Sequence, residues 1–300
     1  MKLHTAAMAA VLIPLPRRDF DPTEVAVSWK ILKSRGHTLA FATPDGEAAQ
    51  ADPIMLDGVG LDPWGFIPGL RQAKLLGLML RANAEGRAAY RELAADPAFL
   101  NPLRWRDLPG RPFEGLLLGG GHRARGMREY LESELLQSVV AQFFRANRPV
   151  AAICHGVLLA ARSLRADGKS VLFGRKTTAL TWKQERTASV LAHIGRYWDR
   201  HYYRTYLEEA GQAPGYMSVQ SEVTRALANA GDFLDVAPGA DHYFRKTGGA
   251  FRDSATDPSP AFVVCDGKYI SARWPGDAHT FATRFAQVLE GQSAVPIAPG

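Results

Sequence analysis

The chain has two cysteines in 300 residues, Cys154 and Cys265, too few for a disulfide framework, and so fits a reducing, cytoplasmic setting. It also lacks long apolar runs. The nearest candidate, Leu75 to Leu80, is closed by Lys74 and Arg81, far short of the roughly 18 apolar residues that span a bilayer, so no integral membrane protein is expected. There is no internal repeat, no low-complexity tract beyond the tail Gln292 to Gly300, and no zinc-finger spacing. What remains is ordinary for a soluble globular chain: hydrophobic residues make up 46% and charged residues 22%, enough to build a core. The apolar stretch Ala6 to Leu15 lacks an A-x-A-like processing site before Pro16-Arg17-Arg18 and reads as a first strand rather than a signal peptide.

Charge is uneven. Residues 100–204 carry 18 basic and 8 acidic side chains, against 11 and 11 before them and 7 and 11 after. A basic middle suits small anions or nucleic acid, but its arginines are scattered singly and no basic motif is interleaved with aromatics, so no nucleic-acid partner is expected. His193, His201 and His242 lack metal-ligand spacing, and no metal is expected.

Short apolar segments alternate with amphipathic ones, the pattern of a mainly parallel sheet with helices on both faces. The reading places strands at Ala7 to Leu15, Thr38 to Ala42, Phe113 to Leu118, Pro149 to Ile153, Thr177 to Leu180, Ala261 to Val264 and Tyr269 to Arg273. Helices are expected after Asp21-Pro22-Thr23-Glu24, over Met127 to Arg145, Val157 to Arg165 and Ala278 to Leu289. Two largely helical insertions interrupt the alternation, at about 47–112, with its helix around Leu70 to Leu93, and at about 182–215, where five aromatics gather between Tyr197 and Tyr206. A single α/β domain over 1–291 with a loose tail at 292–300 is expected.

The most informative segment is Ala152-Ile153-Cys154-His155-Gly156. A nucleophile between an apolar strand and an apolar helix, with small residues two positions to either side, is the sequence form of a nucleophile elbow. Cys154 is expected at the helix N-terminus, exposed, and held as thiolate by the dipole. A small buried cysteine at a tight turn is the other reading. Gly119-Gly120-Gly121-His122 matches neither a Walker A nor a G-x-G-x-x-G pattern. As a strand-end turn it can aim the Gly120 or Gly121 amide, with that of His155, at an oxyanion. Glu24 has a capping-box position after Asp21, which alone accounts for it.

These segments in this order resemble the ThiJ/PfpI superfamily, with its class I glutamine amidotransferase-like, flavodoxin-like fold, a three-layer sandwich. The resemblance covers Ala6 to Glu47, Phe113 to about Glu185 and Ala261 to Leu289, and is nearest to longer bacterial members of the chaperone and glyoxalase branch. It implies Cys154 as nucleophile, His155 as its imidazole and amide neighbour, and Glu24 as the carboxyl group on the sulfur. Where many members place a His or Asp, this chain has Ala179-Leu180-Thr181-Trp182, leaving Glu185 as the nearest acid for a third member. The implied activity is a cofactor-free, glutathione-independent glyoxalase acting on small reactive carbonyls, from a homodimer. The alternatives are a stress-linked holdase or redox sensor, and an amidase, peptidase or nitrile-type hydrolase.

Overall fold

The computed structural model describes residues 8–292; Ala7 of the expected first strand and the tail 293–300 lie outside them. Among the described residues nine strands occur, in chain order: β1 Ala10–Pro14, β2 Arg18–Phe20, β3 Thr38–Thr43, β4 Gln50–Ala51, β5 Leu103–Arg104, β6 Gly115–Leu118, β7 Val150–Ile153, β8 Val263–Asp266 and β9 Tyr269–Ala272. Seven form the central sheet, in the order β5-β3-β1-β6-β7-β9-β8, with β2 and β4 as a separate pair. Every pairing in the central sheet is parallel except β8 with β9. All four residues of β6 and of β7 are buried, as expected for parallel strands covered on both faces. The result is the seven-stranded α/β sandwich of the flavodoxin-like class.

One helical layer is built by Pro22–Ser34, which packs against Ala84–Leu93 and Ala278–Leu289. The other centres on His155–Arg162, which packs against Ala124–Leu131, Glu134–Arg145 and Val219–Ala226. After β1 the chain adds β3 on one side, and then returns to lay β6 on the other. In an open sheet the crevice forms where the order reverses, beyond the carboxyl ends of the strands. Here the segments that follow β1, β6 and β7 converge at that place.

Local differences from the sequence reading have local causes. The helix expected over Met127 to Arg145 is two, because Ser133 takes extended backbone and its hydroxyl accepts the Leu136 N–H as a new N-cap. The stretch around Leu70 is turns rather than helix. Asp62 accepts the amides of Leu75, Leu76 and Gly77 at 3.0, 2.7 and 3.3 Å, one helical turn follows at Gly77–Leu80, and a longer helix begins where Asn83 caps Ala84–Leu93. That first insertion also supplies β5 to the sheet edge. Thr177 to Leu180 forms only a bridge at Thr177 with Phe233, since the Thr178 amide donates to the Ser271 hydroxyl at 3.0 Å instead of to a strand. The expected strand at Ala261 starts two residues later, as the Phe262 amide is taken by Asp277. In the second insertion, helix occupies Trp182–Gly195, and turns follow. Among the described residues no helix is long and apolar enough to cross a membrane.

Candidate active site

Cys154 stands between β7 and the helix His155–Arg162, with φ 56° and ψ −123°, a strained conformation for a residue with a Cβ, costing about 1–3 kcal/mol. The surrounding packing holds it. Its amide donates to Ala272 O at 3.1 Å, and a Cβ on Gly156 would come within 2.1 Å of Leu118 O. The small residue two positions after the cysteine is thus a steric requirement of the elbow.

Gly120 is the hub around which the site closes. A Cβ there would lie 2.8 Å from the His155 amide nitrogen, 2.9 Å from Cys154 Cβ and 2.9 Å from Glu24 Oε2, so three segments meet where only a glycine fits. Glu24 Oε2 accepts the Gly120 N–H at 2.8 Å. Asp21 caps the helix itself, accepting the amides of Thr23 and Glu24, while its own amide donates to Gly120 O. Glu24 therefore does not close a capping box; it faces the crevice. This pairing also consumes the Gly120 N–H, which corrects its assignment as an oxyanion donor. The His155 amide, in the first helical turn without a helical acceptor, and that of Gly121 remain for that role.

The sulfur differs from expectation. Cys154 is 6% exposed, not open to solvent, and burial pushes its thiol well above the ordinary range, with the nearby Glu24 and Asp21 carboxyls adding to the shift. The His155 amide pulls the other way. A helix terminus contributes about 0.3–2 kcal/mol, whereas each pKa unit of desolvation is worth about 1.4 kcal/mol and burial shifts groups by several units. Burial wins, and the resting sulfur is a thiol. Burial first, and then the charge of Asp21, raises the Glu24 carboxyl well above its usual value. Its Oε1 has no hydrogen-bonding partner of good geometry, and the Gly120 amide and then the Cys154 thiol draw the carboxyl part of the way back down. His155 Nδ1 is 3.4 Å from Sγ, and burial, with Arg162 and Arg204 nearby, lowers its imidazole to about 3. The three groups rest neutral.

Glu185 does not join them. It is 2% exposed and accepts from Arg204 Nε at 3.1 Å and the Val219 amide at 3.0 Å. Burial raises it to about 7. Neither of its hydrogen bonds goes to His155. His122, from the glycine segment, stacks on Tyr203 at 4.2 Å between ring centroids and places Nε2 3.6 Å from Asp52 Oδ2. Burial raises Asp52 to about 7 and lowers His122, so this pair is neutral just below pH 7 and gains the Asp52 charge as pH rises through 7. Asp52, Trp274 and Arg252 were not legible as site residues. The one available signal was the position of Trp274-Pro275 just after β9, at the carboxyl end of a strand.

A cavity of about 20 Å³ adjoins Asp21, Glu24, His122, Cys154, Tyr203 and Trp274, room for one water-sized group. A larger cavity of about 580 Å³ shares Met55, Leu180, Tyr203, Trp274 and Pro275 with it, and so forms its antechamber. A still larger groove, about 1070 Å³, lies between Glu134–Arg145 and the 164–175 loop, and none of these site residues lines it. Among the described residues no three His, Cys, Asp or Glu side chains group as a metal site.

Fold and elbow define an α/β protein with a buried cysteine at a strand-to-helix bend. The family description ThiJ/PfpI family-like matches residues 15–216, more than half of the chain, and the protein belongs to that family. Solved structures of similar fold include the Rapid Encystment Protein 24 kDa of Francisella tularensis, with a TM-score of 0.57 and 16% identity over 94% of this chain and 99% of that one. A ThiJ/PfpI domain protein of Brachyspira murdochii follows at 0.50 and 15%, over 95% and 99%. Glyoxalase III of Candida albicans gives 0.50 and 14%, over 93% and 96%. At these identities the likeness is one of fold. No curated protein matches the sequence significantly.

Proposed function

We propose that the protein is a cysteine-dependent enzyme of the ThiJ/PfpI type that converts a 2-oxoaldehyde to a 2-hydroxy acid without glutathione. The observation that carries this reading is the meeting of Cys154, His155 and Glu24 around Gly120. The fold is known to house such chemistry, since one solved structure that shares it is a glyoxalase III.

In this reading Sγ of Cys154 adds to the aldehyde carbon. The thiol proton passes through His155 Nδ1 to the former carbonyl oxygen, giving a hemithioacetal, while the amides of Gly121 and His155 stabilise the developing oxyanion. An imidazole this weakly basic takes the proton only as the C–S bond forms. Glu24, which rests protonated, gives its proton to the neighbouring carbonyl oxygen; the carboxylate so formed takes the proton from the former aldehyde carbon, returns it to the neighbouring carbon and recovers a proton from the hemithioacetal hydroxyl, leaving a thioester. Water cleaves the resulting thioester to a 2-hydroxy acid and restores the thiol. The basic middle third suits the anionic product. Replacing Cys154 by Ala abolishes turnover of methylglyoxal to lactate; unchanged turnover contradicts the mechanism.

The commitment of Glu185 to Arg204 leaves no Cys-His-acid triad among the described residues and weighs against amide hydrolysis, which must protonate a poor leaving group. A second reading has its own observation. Phe66, Ile67, Leu70, Leu75, Leu78 and Met79 are exposed large apolar side chains on one insertion, a surface suited to a second subunit in a homodimer or to unfolded clients of a cytoplasmic holdase. Suppression of client aggregation that survives C154A supports the holdase.

A further inference from the structure

Three arginines lie around the carboxyl end of the sheet, and the two that are deeply buried are fully engaged. Arg273 forms a buried ion pair with Asp277 at 2.7 Å, and Arg204 bridges Glu185 and Glu208. Arg252 is different. Its Nη1 is buried and has no hydrogen-bonding partner among the described residues, and no carboxylate of those residues is within ion-pairing distance of it. The guanidinium lies over the Trp274 ring at 5.4 Å, and it lines the antechamber. The half-buried guanidinium feels the charges of Asp21, Glu24 and Asp253 without bonding to them, a buried N–H left unpaired is costly, and Arg presents a planar fork suited to carboxylate.

The rest of the antechamber is of another kind. Leu80, Leu191, Tyr243 and Phe244 line its outer part, and Met55, Leu180 and Trp274 form its boundary with the small cavity beside Cys154. The inner cavity admits a single small group, about 20 Å³; the antechamber, about 580 Å³, takes a drug-sized body.

We infer that Arg252 is the anion-recognising residue of a substrate subsite, and that the natural ligand is a carbonyl compound with a slim reactive end, an apolar body and a carboxylate. The carbonyl end enters the cavity beside Cys154, the body occupies the antechamber, and the carboxylate supplies the partner that Arg252 lacks. The inference rests on the carbonyl reading only for the end that reacts; the anion subsite is a matter of binding.

The test uses C154A protein, which binds without covalent chemistry, and compares 4-formylbenzoate with its methyl ester by titration calorimetry. The acid is expected to bind at least about tenfold more tightly than the ester, as for one charge-assisted pair. R252Q is expected to erase that preference while ester binding stays within about twofold, and R252K to keep part of it. R252M, which keeps the stem and loses the charge, replaces R252Q if the latter does not fold by circular dichroism. Equal affinity for acid and ester in C154A, or a preference that survives loss of the charge, overturns the inference. A carboxylate preference without methylglyoxal turnover by the wild-type protein removes the proposed activity and leaves the subsite; turnover without the preference does the reverse.

Discussion

The two cysteines of this chain are a natural contrast. Both are unpaired, and burial raises both thiols, so burial alone does not distinguish a reacting sulfur from an inert one. Cys265 sits within β8, half-buried, opposite Ile270 of β9, with Arg284 as the charge that draws its thiol back down. Cys154 has positive φ at a strand end, an imidazole at 3.4 Å and two carboxyls that bear on its proton. The strand asks only that Cys265 fill space; the elbow places Cys154 among proton-handling groups at a cavity. What marks a functional thiol here is its company, not its exposure.

The largest effect should come from removing each sulfur in turn. C154A is expected to lower methylglyoxal turnover by at least about a thousandfold, and C265A to leave it within about twofold; equal losses would erase the contrast. Next comes the carboxyl. E24Q cannot relay a proton and is expected to cost about a hundredfold or more in kcat, with alkylation of Cys265 unchanged when followed by peptide mass spectrometry.

The glycines beside the two sulfurs sharpen the same difference. G120A must push a methyl into contacts of 2.8–2.9 Å with His155, Cys154 and Glu24, an overpacking cost of about 1–3 kcal/mol together with loss of turnover. Gly267, just after Cys265, has open space around it and φ +61°, so G267A should cost about 1 kcal/mol from backbone conformation alone and no activity. Denaturant midpoints and kcat check both.

The last effect concerns Asp52, in the His122 pair. Its folded value near 7 lies above the unfolded value, so the native state holds the extra proton between about pH 4 and 7 and wild-type stability from this group falls as pH rises through that window. D52N removes the penalty and can still cap Pro53–Asp57. Relative to wild type it should gain on the order of 4 kcal/mol between pH 4 and pH 8, read from midpoints at each pH; a relative loss contradicts the assignment.

The same contrast explains what the sequence disclosed. The alternation of strands and helices, the elbow and the small residues around Cys154 are properties of neighbours in the chain, and they were legible. So was the proximity of the Asp21-Pro22-Thr23-Glu24 and glycine segments to Cys154, through the resemblance rather than the residues. The burial of the sulfur was not legible, because Met55, Leu180, Tyr203 and Trp274 reach the cavity from four distant segments, each of them irregular or within an insertion. The Gly120 amide was misassigned for a related reason: a strand-end amide looks available until a carboxylate from another element accepts it. Helix ends failed where a side chain outbid the periodicity, as Ser133 and Asp62 do.

The central claim is that Glu24 governs the proton on Cys154. The most direct measurement is the ultraviolet thiolate titration of Cys154 in C265A protein, with and without E24Q. The account predicts a thiol at neutral pH in the parent and a lower thiol pKa once the carboxylate is gone; a thiolate already present at neutral pH, or a titration that E24Q leaves in place, would contradict it.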